Sequence, residues 1–398
     1  LLSQYTMEPI VATCSAPVNI AVVKYWGKRD EKLILPVNSS LSASLNQEQL
    51  KTTTTVMASK DFERDQMWLN GEEEDMSSTR LQNCLVSLRS RAGDKKNAQG
   101  EVIVKKEEWA NYKLHIVSFN NFPTAAGLAS SAAGFACLVY TIAQVYGIEE
   151  SYPGELSAIA RMGSGSACRS LYGGWVKWEM GEKADGSDSL AVQVADEKHW
   201  PEVVIAVLVV SEHRKPIGST SAMERSVQNS DLLKHRAASV VPERMKQMEK
   251  AILERNFNEF GQLTIQDSNQ FHAVCLDTYP PVMYLNDTSK FIINLLTQYN
   301  AHYGEVKAAY TFDAGPNAVI YTTKDVLPEI LQIVHHYFPS NEEQANTPVP
   351  EHLAASLKSP IFPNSLQRII QTNPGPGPIL LDASAHLIDV TTGLPKAK

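Results

Sequence analysis

Apolar and polar positions alternate with a period of two across Lys51–Ser59 and Tyr112–Phe119, the pattern of a half-buried strand. Gln66–Leu69 runs into Asn70-Gly71, which predicts a strand entering a tight turn. From Ser130 the period becomes helical. Phe135, Leu138, Val139, Ile142, Val145 and Tyr146 fall on one stripe, and Gly147 stands where a helix ends. Ser78 can cap a shorter helix that carries Leu81, Leu85 and Leu88 on one face. Glu155–Met162 is another short helix, broken by Gly163-Ser164-Gly165-Ser166. Gly173–Glu179 and Val203–Val210 read as strands, and the polar stretch Gly181–Ser189 between them as a hairpin or a linker. Ala92–Glu101 is polar with two glycines and reads as a surface loop.

The second half is mostly helical. Leu232–Arg255 carries Val240, Val241, Met245, Met248 and Ile252 at helical spacing, and Phe257–Ile265, Thr288–Tyr299 and Leu327–Phe338 repeat the pattern. Two strands, Ala308–Phe312 and Ala318–Tyr321, flank Asp313-Ala314-Gly315-Pro316-Asn317. Strands and helices that do not alternate regularly predict an α+β fold. At about 100–200 residues per domain, the 398 residues predict two domains, which we draw as 8–190 and 191–398. Residues 340–378 carry little pattern. Within them Pro374-Gly-Pro-Gly-Pro378 is a turn-rich connection whose glycines and prolines are candidates to close over a substrate cleft.

Composition narrows the function. The formal charge is −8 and no dense Lys/Arg stripe occurs, which argues against a nucleic-acid partner but not against an anionic small molecule. The longest apolar run, Val203–Val210, is far short of a membrane span. Leu1–Thr6 lacks the basic and apolar regions of a signal peptide, so a cytoplasmic location without a membrane partner is expected. Five dispersed cysteines without a Cys-x-x-Cys pair fit a reducing compartment, with Cys137 in the core. No His/Cys/carboxylate cluster has metal-ligand spacing, and His115, His335 and His336 read as structural. Any metal is therefore expected as Mg²⁺ arriving with a nucleotide.

One segment carries chemistry directly. Pro123-Thr-Ala-Ala126-Gly127-Leu128-Ala129-Ser130-Ser131-Ala-Ala-Gly134 follows a strand and opens the long helix. Small residues let a backbone approach a ligand closely. The first helical turn leaves about four N–H groups without partners, at the positive end of the helix dipole. Two serine hydroxyls add donors. That is a phosphate site, expected to serve ATP through Pro123, Ala126, Gly127, Leu128, Ala129, Ser130 and Ser131. Taken alone, the segment also fits a Ser-capped helix with a small packing face. Neither Gly-x4-Gly-Lys-Ser/Thr nor Gly-x-Gly-x-x-Gly is present.

The segment Pro-x3-Gly-Leu-x-Ser-Ser-Ala resembles the phosphate-binding motif of the GHMP kinase superfamily. Further blocks narrow it: Ala16-Pro17-Val18-Asn19-Ile20-Ala21, Lys24-Tyr25-Trp26-Gly27-Lys28-Arg29, Gly163-Ser-Gly-Ser-Ala-Cys-Arg-Ser170, Ser268-Asn269-x-Phe271-His272-Ala273, Tyr310-Thr-Phe-Asp313-Ala-Gly-Pro-Asn-Ala318 and Gly393-Leu-Pro-Lys396. Together, from about Thr13 to Lys396, they closely resemble the mevalonate diphosphate decarboxylase family of the eukaryotic type.

That resemblance implies a two-domain GHMP kinase fold, its N-terminal domain like ribosomal protein S5 domain 2 and its C-terminal domain ferredoxin-like, with the active site in the cleft between them. It implies conversion of (R)-5-diphosphomevalonate, ATP and Mg²⁺ into isopentenyl diphosphate, ADP, phosphate and carbon dioxide by a cytoplasmic homodimer of the mevalonate pathway. The family places its catalytic aspartate at Asp313, to orient or deprotonate the 3-hydroxyl; unaided, Asp313 reads as an Asx-turn residue. Arg169 would grip the substrate carboxylate. Lys24 would lie near the transferring phosphoryl group, Ser131 would reach it and Mg²⁺, and Asn19 would fix the substrate or the aspartate. The diphosphate cradle would comprise Tyr25, Trp26, Gly27, Lys28, Ser164, Gly165, Ser166, Ala167, Cys168 and Arg169, with Arg80 and Thr220 further off. Trp26 reads equally as a core aromatic. Two rival readings are a superfamily kinase that stops after phosphoryl transfer and a nucleotide-binding sensor without turnover.

Overall fold

The β-branched run Lys51–Ser59 forms β6, the centre of the first sheet. The structure, a computed structural model, describes residues 10–122, 130–211 and 217–396. β6 pairs antiparallel with β1 (Ile10–Pro17) on one side and β11 (Lys113–Asn120) on the other. β7 (Gln66–Leu69) lies parallel to β11, and β8 (Glu72–Glu73) returns along β7. The expected tight turn joins them, with Asn70 and Gly71 at φ 54° and 98°, left-handed values that suit these residue types. Helices α1 (Thr79–Arg89), α2 (Ser130–Tyr146) and α3 (Glu155–Gly163) belong with this sheet, and their apolar faces share a core with Val56, Leu114 and Ile116. The stripe on α2 is as the periodicity predicts, and Cys137 is fully buried in it. The expected loop at Ala92–Glu101 instead contains β9 (Lys95–Lys96), which pairs with β10 (Val102–Val104).

A smaller sheet runs in the order β13 (Ala191–Ala195), β12 (Trp175–Trp178), β5 (Ser40–Ser44), β2 (Asn19–Val23). Residues Gly181–Ser189 connect the antiparallel pair β12 and β13, so they form the hairpin alternative. A two-stranded ribbon, β3 (Lys28–Asp30) with β4 (Leu35–Pro36), follows β2.

The third sheet runs in the order β15 (Ala309–Phe312), β16 (Ala318–Thr323), β14 (Val203–Val209), β17 (Arg368–Thr372). β14 is buried on both faces, which explains its unbroken apolar sequence. Val203, Ile205, Val207 and Val209 enter a core shared with α6 (Val241–Leu253), α7 (Phe257–Asp277), and Ile20 and Leu41 of the smaller sheet. Ala206 and Leu208 face α8 (Asp287–Tyr303) and α9 (Leu327–Tyr337) on the other side. One apolar layer therefore joins the two halves of the molecule.

Several expectations change. The helix expected over Leu232–Arg255 divides into α5 (Asp231–His235), a π turn at Arg236–Val240, and α6. Pro242 in the first turn of α6 has no N–H to donate, and the ladder widens ahead of it. The helix begun at Phe257 runs on to Asp277, because the polar residues that interrupt its apolar pattern face a buried network. α4 (Ser219–Asn229) was not foreseen. The C-terminal tail returns to the first sheet. β18 (Ile379–Leu381) pairs with the free edge of β1, Thr13 Oγ1 lies 2.8 Å from His386 Nδ1, and Ile388 is buried against the first sheet. The tail thus covers an edge that would otherwise be open. Pro374–Pro378 does not close over a cleft: Gly375 donates to Ser44 O (2.8 Å) and accepts from Gly174 N–H (2.9 Å), bracing the end of β5. A Cβ at Gly375 would sit 2.4 Å from Asn46 Cα. No helix among the described residues is long and apolar enough to cross a membrane.

Ser78 occupies the cap position of α1 but makes no side-chain cap bond, whereas Asn286 and Ser289 form a full capping box on α8. In urea unfolding, Asn286→Ala is expected to cost about 1 kcal/mol and Ser78→Ala less than about 0.5 kcal/mol. Equal losses would contradict this difference between the two caps.

Candidate active site

A cavity of about 200 Å³ opens between the two halves. Its described walls include Lys24, Lys28, Arg80 and Arg169 but only one carboxylate, Asp313. The chain as a whole is anionic, so this cleft concentrates the opposite sign and favours an anionic ligand.

Lys24 reaches the cleft because the β2 ladder ends one residue earlier, at Val23 opposite Leu41. Its ammonium, 3% exposed, lies 2.6 Å from Asp313 Oδ1. Its peptide groups, past the ladder, are taken up from elsewhere. Lys24 N–H donates to Asp267 Oδ1 (2.7 Å), while Lys24 C=O accepts from Arg236 Nη2 (3.1 Å) and Asn38 Nδ2 (3.0 Å). Asp267 is fully buried, with Arg236 bonded to both its oxygens and Arg244 to one. Burial alone would raise its pKa, but Arg236 and Arg244 outweigh burial and hold it below the usual carboxylate range. Sequence reading missed this trio, since Asp267 and Lys24 are 243 positions apart.

Asp313 stands between β15 and β16 on a braced loop. Gly315 N–H donates to Asp313 C=O (2.7 Å), Ser289 Oγ to Pro316 C=O (2.8 Å), and Val210 and Ser211 N–H to Asn317 Oδ1. Phe312 N–H is held by Ser268 Oγ at 3.1 Å. Nearby His272 is pushed down to about 3, by burial first and then by Lys24, so its imidazole is neutral.

Arg169 is 2% exposed, yet its hydrogen bonds go to neutral oxygens: Ser42 Oγ (2.9 Å), Ser40 Oγ (2.5 Å) and Asn19 Oδ1 (3.3 Å). No carboxylate lies within ion-pair distance of it among the described residues, and burial lowers its pKa. Asn19 also donates to Ser170 Oγ (2.7 Å) and Ser166 C=O (3.0 Å). Asn19 therefore orients the arginine; none of these bonds reaches Asp313.

The remaining expected residues divide. Tyr25, Lys28, Ser164, Gly165 and Ser166 line the cleft. Tyr25 has a buried hydroxyl without a partner among the described residues, and burial raises its pKa. Lys28 pairs with Glu31 at 2.5 Å. A Cβ at Gly165 would meet Trp178 at 2.8 Å and Tyr25 at 2.9 Å, so glycine is required there. Ser164 and Ser131 hydroxyls are 3.2 Å apart. Arg80 Nη2 donates to Thr220 Oγ1 (3.1 Å), tying α1 to α4. Trp26 is a core aromatic that also contributes wall: it donates to Ser226 Oγ and packs edge-on against Phe271. Gly27, Ala167 and Cys168 do not line the cleft. Gly27, at φ 91°, packs toward Val37, Val227 and Leu233, and Ala167 and Cys168 are fully buried, with the Cys168 thiol pushed up to about 12 by burial. They shape the turns that present their neighbours. Met223, Ser40 and Ser42 were not foreseen, as isolated apolar or serine positions carry no distinctive signal, and Phe271 figured only within a motif block without a role in the cleft.

Pro123, Ala126, Gly127, Leu128 and Ala129 lie outside the described residues. Ser130 and Ser131 begin α2 at the cleft. They also line a second cavity of about 260 Å³, walled by Met67, Leu69, Leu81, Phe135 and Leu138. Both cavities are thus lined by the start of α2.

Residues 16–191 match the family described as "Diphosphomevalonate decarboxylase-like N-terminal domain", and residues 205–381 match "Mevalonate 5-diphosphate decarboxylase C-terminal domain". Diphosphomevalonate decarboxylase of Bos taurus is 56% identical over 397 residues, covering 97% of this chain and 98% of the relative. The structure of mevalonate diphosphate decarboxylase from Trypanosoma brucei superposes with a TM-score of 0.85 at 37% identity, over 95% of this chain and 100% of that one. A structure described as MDDEF in complex with MVAPP, AMPPCP and magnesium matches with a TM-score of 0.73 at 28% identity, over 94% and 100% of the two chains. The chain belongs to the mevalonate diphosphate decarboxylase family.

Proposed function

We propose that this chain decarboxylates (R)-5-diphosphomevalonate at the expense of ATP, forming isopentenyl diphosphate, ADP, phosphate and carbon dioxide. The observation that carries this reading is Arg169. It is a buried guanidinium whose partners among the described residues are all neutral, in the same cleft as the Lys24–Asp313 pair. A buried cation is costly until an anion joins it, and a planar guanidinium suits a carboxylate.

The substrate's diphosphate is assigned to Ser164, Ser166, Tyr25 and Lys28, with Arg80 at the mouth. Its carboxylate is assigned to Arg169, held by Asn19, Ser40 and Ser42. Asp313 has one oxygen engaged by Lys24, and its other oxygen, without a partner among the described residues, is assigned to the 3-hydroxyl. Asp313 orients that hydroxyl and accepts its proton as the oxygen attacks the γ-phosphorus and ADP leaves. The Lys24 ammonium offsets charge gathering at the phosphoryl group. Phosphate then departs from C3 with the C–O electron pair, and the electrons of the C1–C2 bond become the new double bond as carbon dioxide is lost. Arg169 grips the carboxylate oxygens and leaves that C–C bond free to break.

The second, mostly apolar cavity is assigned to the nucleoside part of ATP, since it shares Ser130 and Ser131 with the cationic cleft as lining. The Ser131 and Ser164 hydroxyls are hard oxygen donors that fit Mg²⁺ entering with the nucleotide. When bound, Mg²⁺ would neutralise part of the phosphate charge. The family resemblance supports a cytoplasmic homodimer, an assembly that sedimentation would test.

With ATP, Mg²⁺ and 5-diphosphomevalonate, ADP and carbon dioxide are expected in equal amounts, and chelating the divalent cation should stop both. ADP with a stable phosphorylated product and no carbon dioxide would instead favour a kinase. Asp313→Asn should keep the fold and lose about 10²–10⁴-fold in kcat; near-native turnover would remove Asp313 from the chemistry. Arg169→Lys should lose about ten- to a hundredfold in kcat/KM, as a charge-assisted fork becomes a point donor. Full activity in that variant would rule out two-point recognition of the carboxylate.

A further inference from the structure

We infer that Asp267, with Arg236, is a positioning pair for the reaction, holding the Lys24 ammonium on Asp313 by gripping the Lys24 backbone from the other half of the molecule. The inference rests on the roles proposed above for Lys24 and Asp313.

Lys24 follows the last ladder pair of β2, so its peptide N–H and C=O have no strand partner. Both groups are buried in the join between the halves, where an unpaired backbone group is costly. Asp267 Oδ1 takes the N–H at 2.7 Å, and the C=O accepts from Arg236 Nη2 at 3.1 Å and from Asn38 Nδ2 at 3.0 Å. The lysine is then fixed at two points, its backbone on α7 and its ammonium on Asp313 at 2.6 Å.

The grip itself has little freedom. Each Asp267 oxygen accepts two bonds: Lys24 N–H and Arg236 Nη2 on Oδ1, Arg236 Nη1 and Arg244 Nη1 on Oδ2. Gln270 Oε1 ties the two arginines together, at 2.7 and 3.0 Å. Arg236 begins the π turn ahead of α6, a widened ladder of the kind often found at functional sites.

The next residue on α7 serves the other partner. Ser268 Oγ accepts Phe312 N–H at 3.1 Å, immediately before Asp313. Consecutive residues of one helix therefore hold the backbone of Lys24 and the backbone leading into Asp313. The spacing of ammonium and carboxylate is referred to α7. Stability alone does not account for the arrangement, because a buried ion pair is often replaceable by apolar side chains without loss. A backbone grip on a lysine in the cleft is not replaceable in that way.

The test places Asp267→Asn and Arg236→Lys each in the native chain and in a Lys24→Met background, with folding followed by circular dichroism. Asp267→Asn is expected to lower kcat about tenfold or more, since small misplacements of reacting groups are expensive, while KM for the diphosphate substrate changes less than about threefold. In the Lys24→Met background the same change should lower kcat less than about twofold, because there is no ammonium left to misplace. Arg236→Lys keeps the charge count but lacks the fork. It should show the same pattern with a smaller loss, and it decides the matter if Asp267→Asn does not fold. Equal losses in both backgrounds would make the pair merely structural, and a folded Asp267→Asn with native kcat would overturn the inference directly. Native kcat in Lys24→Met alone would overturn it differently, by removing the catalytic role of Lys24 itself.

Discussion

The carboxylate of Asp267 is the contact on which the cleft depends. It is buried, it accepts from two arginines, and it holds the peptide of a residue in the opposite half. Around it the two halves share an apolar layer in which β14 meets Ile20 and Leu41. Apolar packing is not directional and would tolerate sliding of one half on the other. Hydrogen bonds to a charged group have strict lengths and angles. The layer holds the halves together, and the carboxylate sets the register at which Lys24 meets Asp313.

On that floor the charges are arranged for a guest. The cleft wall carries four cations and one acid among its described residues. Arg169 is the extreme case, buried and supported only by serine and asparagine oxygens. Those dipoles orient the guanidinium without neutralising it. Under the proposed function that charge meets the substrate carboxylate, and an anion entering the cleft relieves the desolvation of a cation already in place.

Ser130 and Ser131 line both cavities, which gives the start of α2 its meaning. A helix N-terminus attracts phosphate wherever it occurs. Here it borders a mostly apolar cavity and a cationic cleft. Under the proposed function the nucleoside takes the first and the diphosphate and carboxylate the second, so that the γ-phosphoryl group is delivered toward Lys24 and Asp313.

The sequence alone determined the periodic elements and the chemistry-bearing residue types. The alternation in Lys51–Ser59, the Asn-Gly turn, the stripe from Phe135 to Tyr146 and the doubly buried run of β14 are legible because burial repeats at the period of each element. Asp313, Arg169 and Lys24 stand out only through the motifs that carry the family resemblance. Tertiary structure decided which motif residues face the cleft: Gly165 does, while Gly27, Ala167 and Cys168 turn to the core within the same motifs. It also decided that Asn19 serves Arg169, that the C-terminal strand returns to β1, and that α7 continues through a polar stretch. Periodicity reports only which face of an element is buried. A bond between Lys24 and Asp267, two polar residues far apart in the chain, leaves no period behind, so only the folded chain could bring it to light.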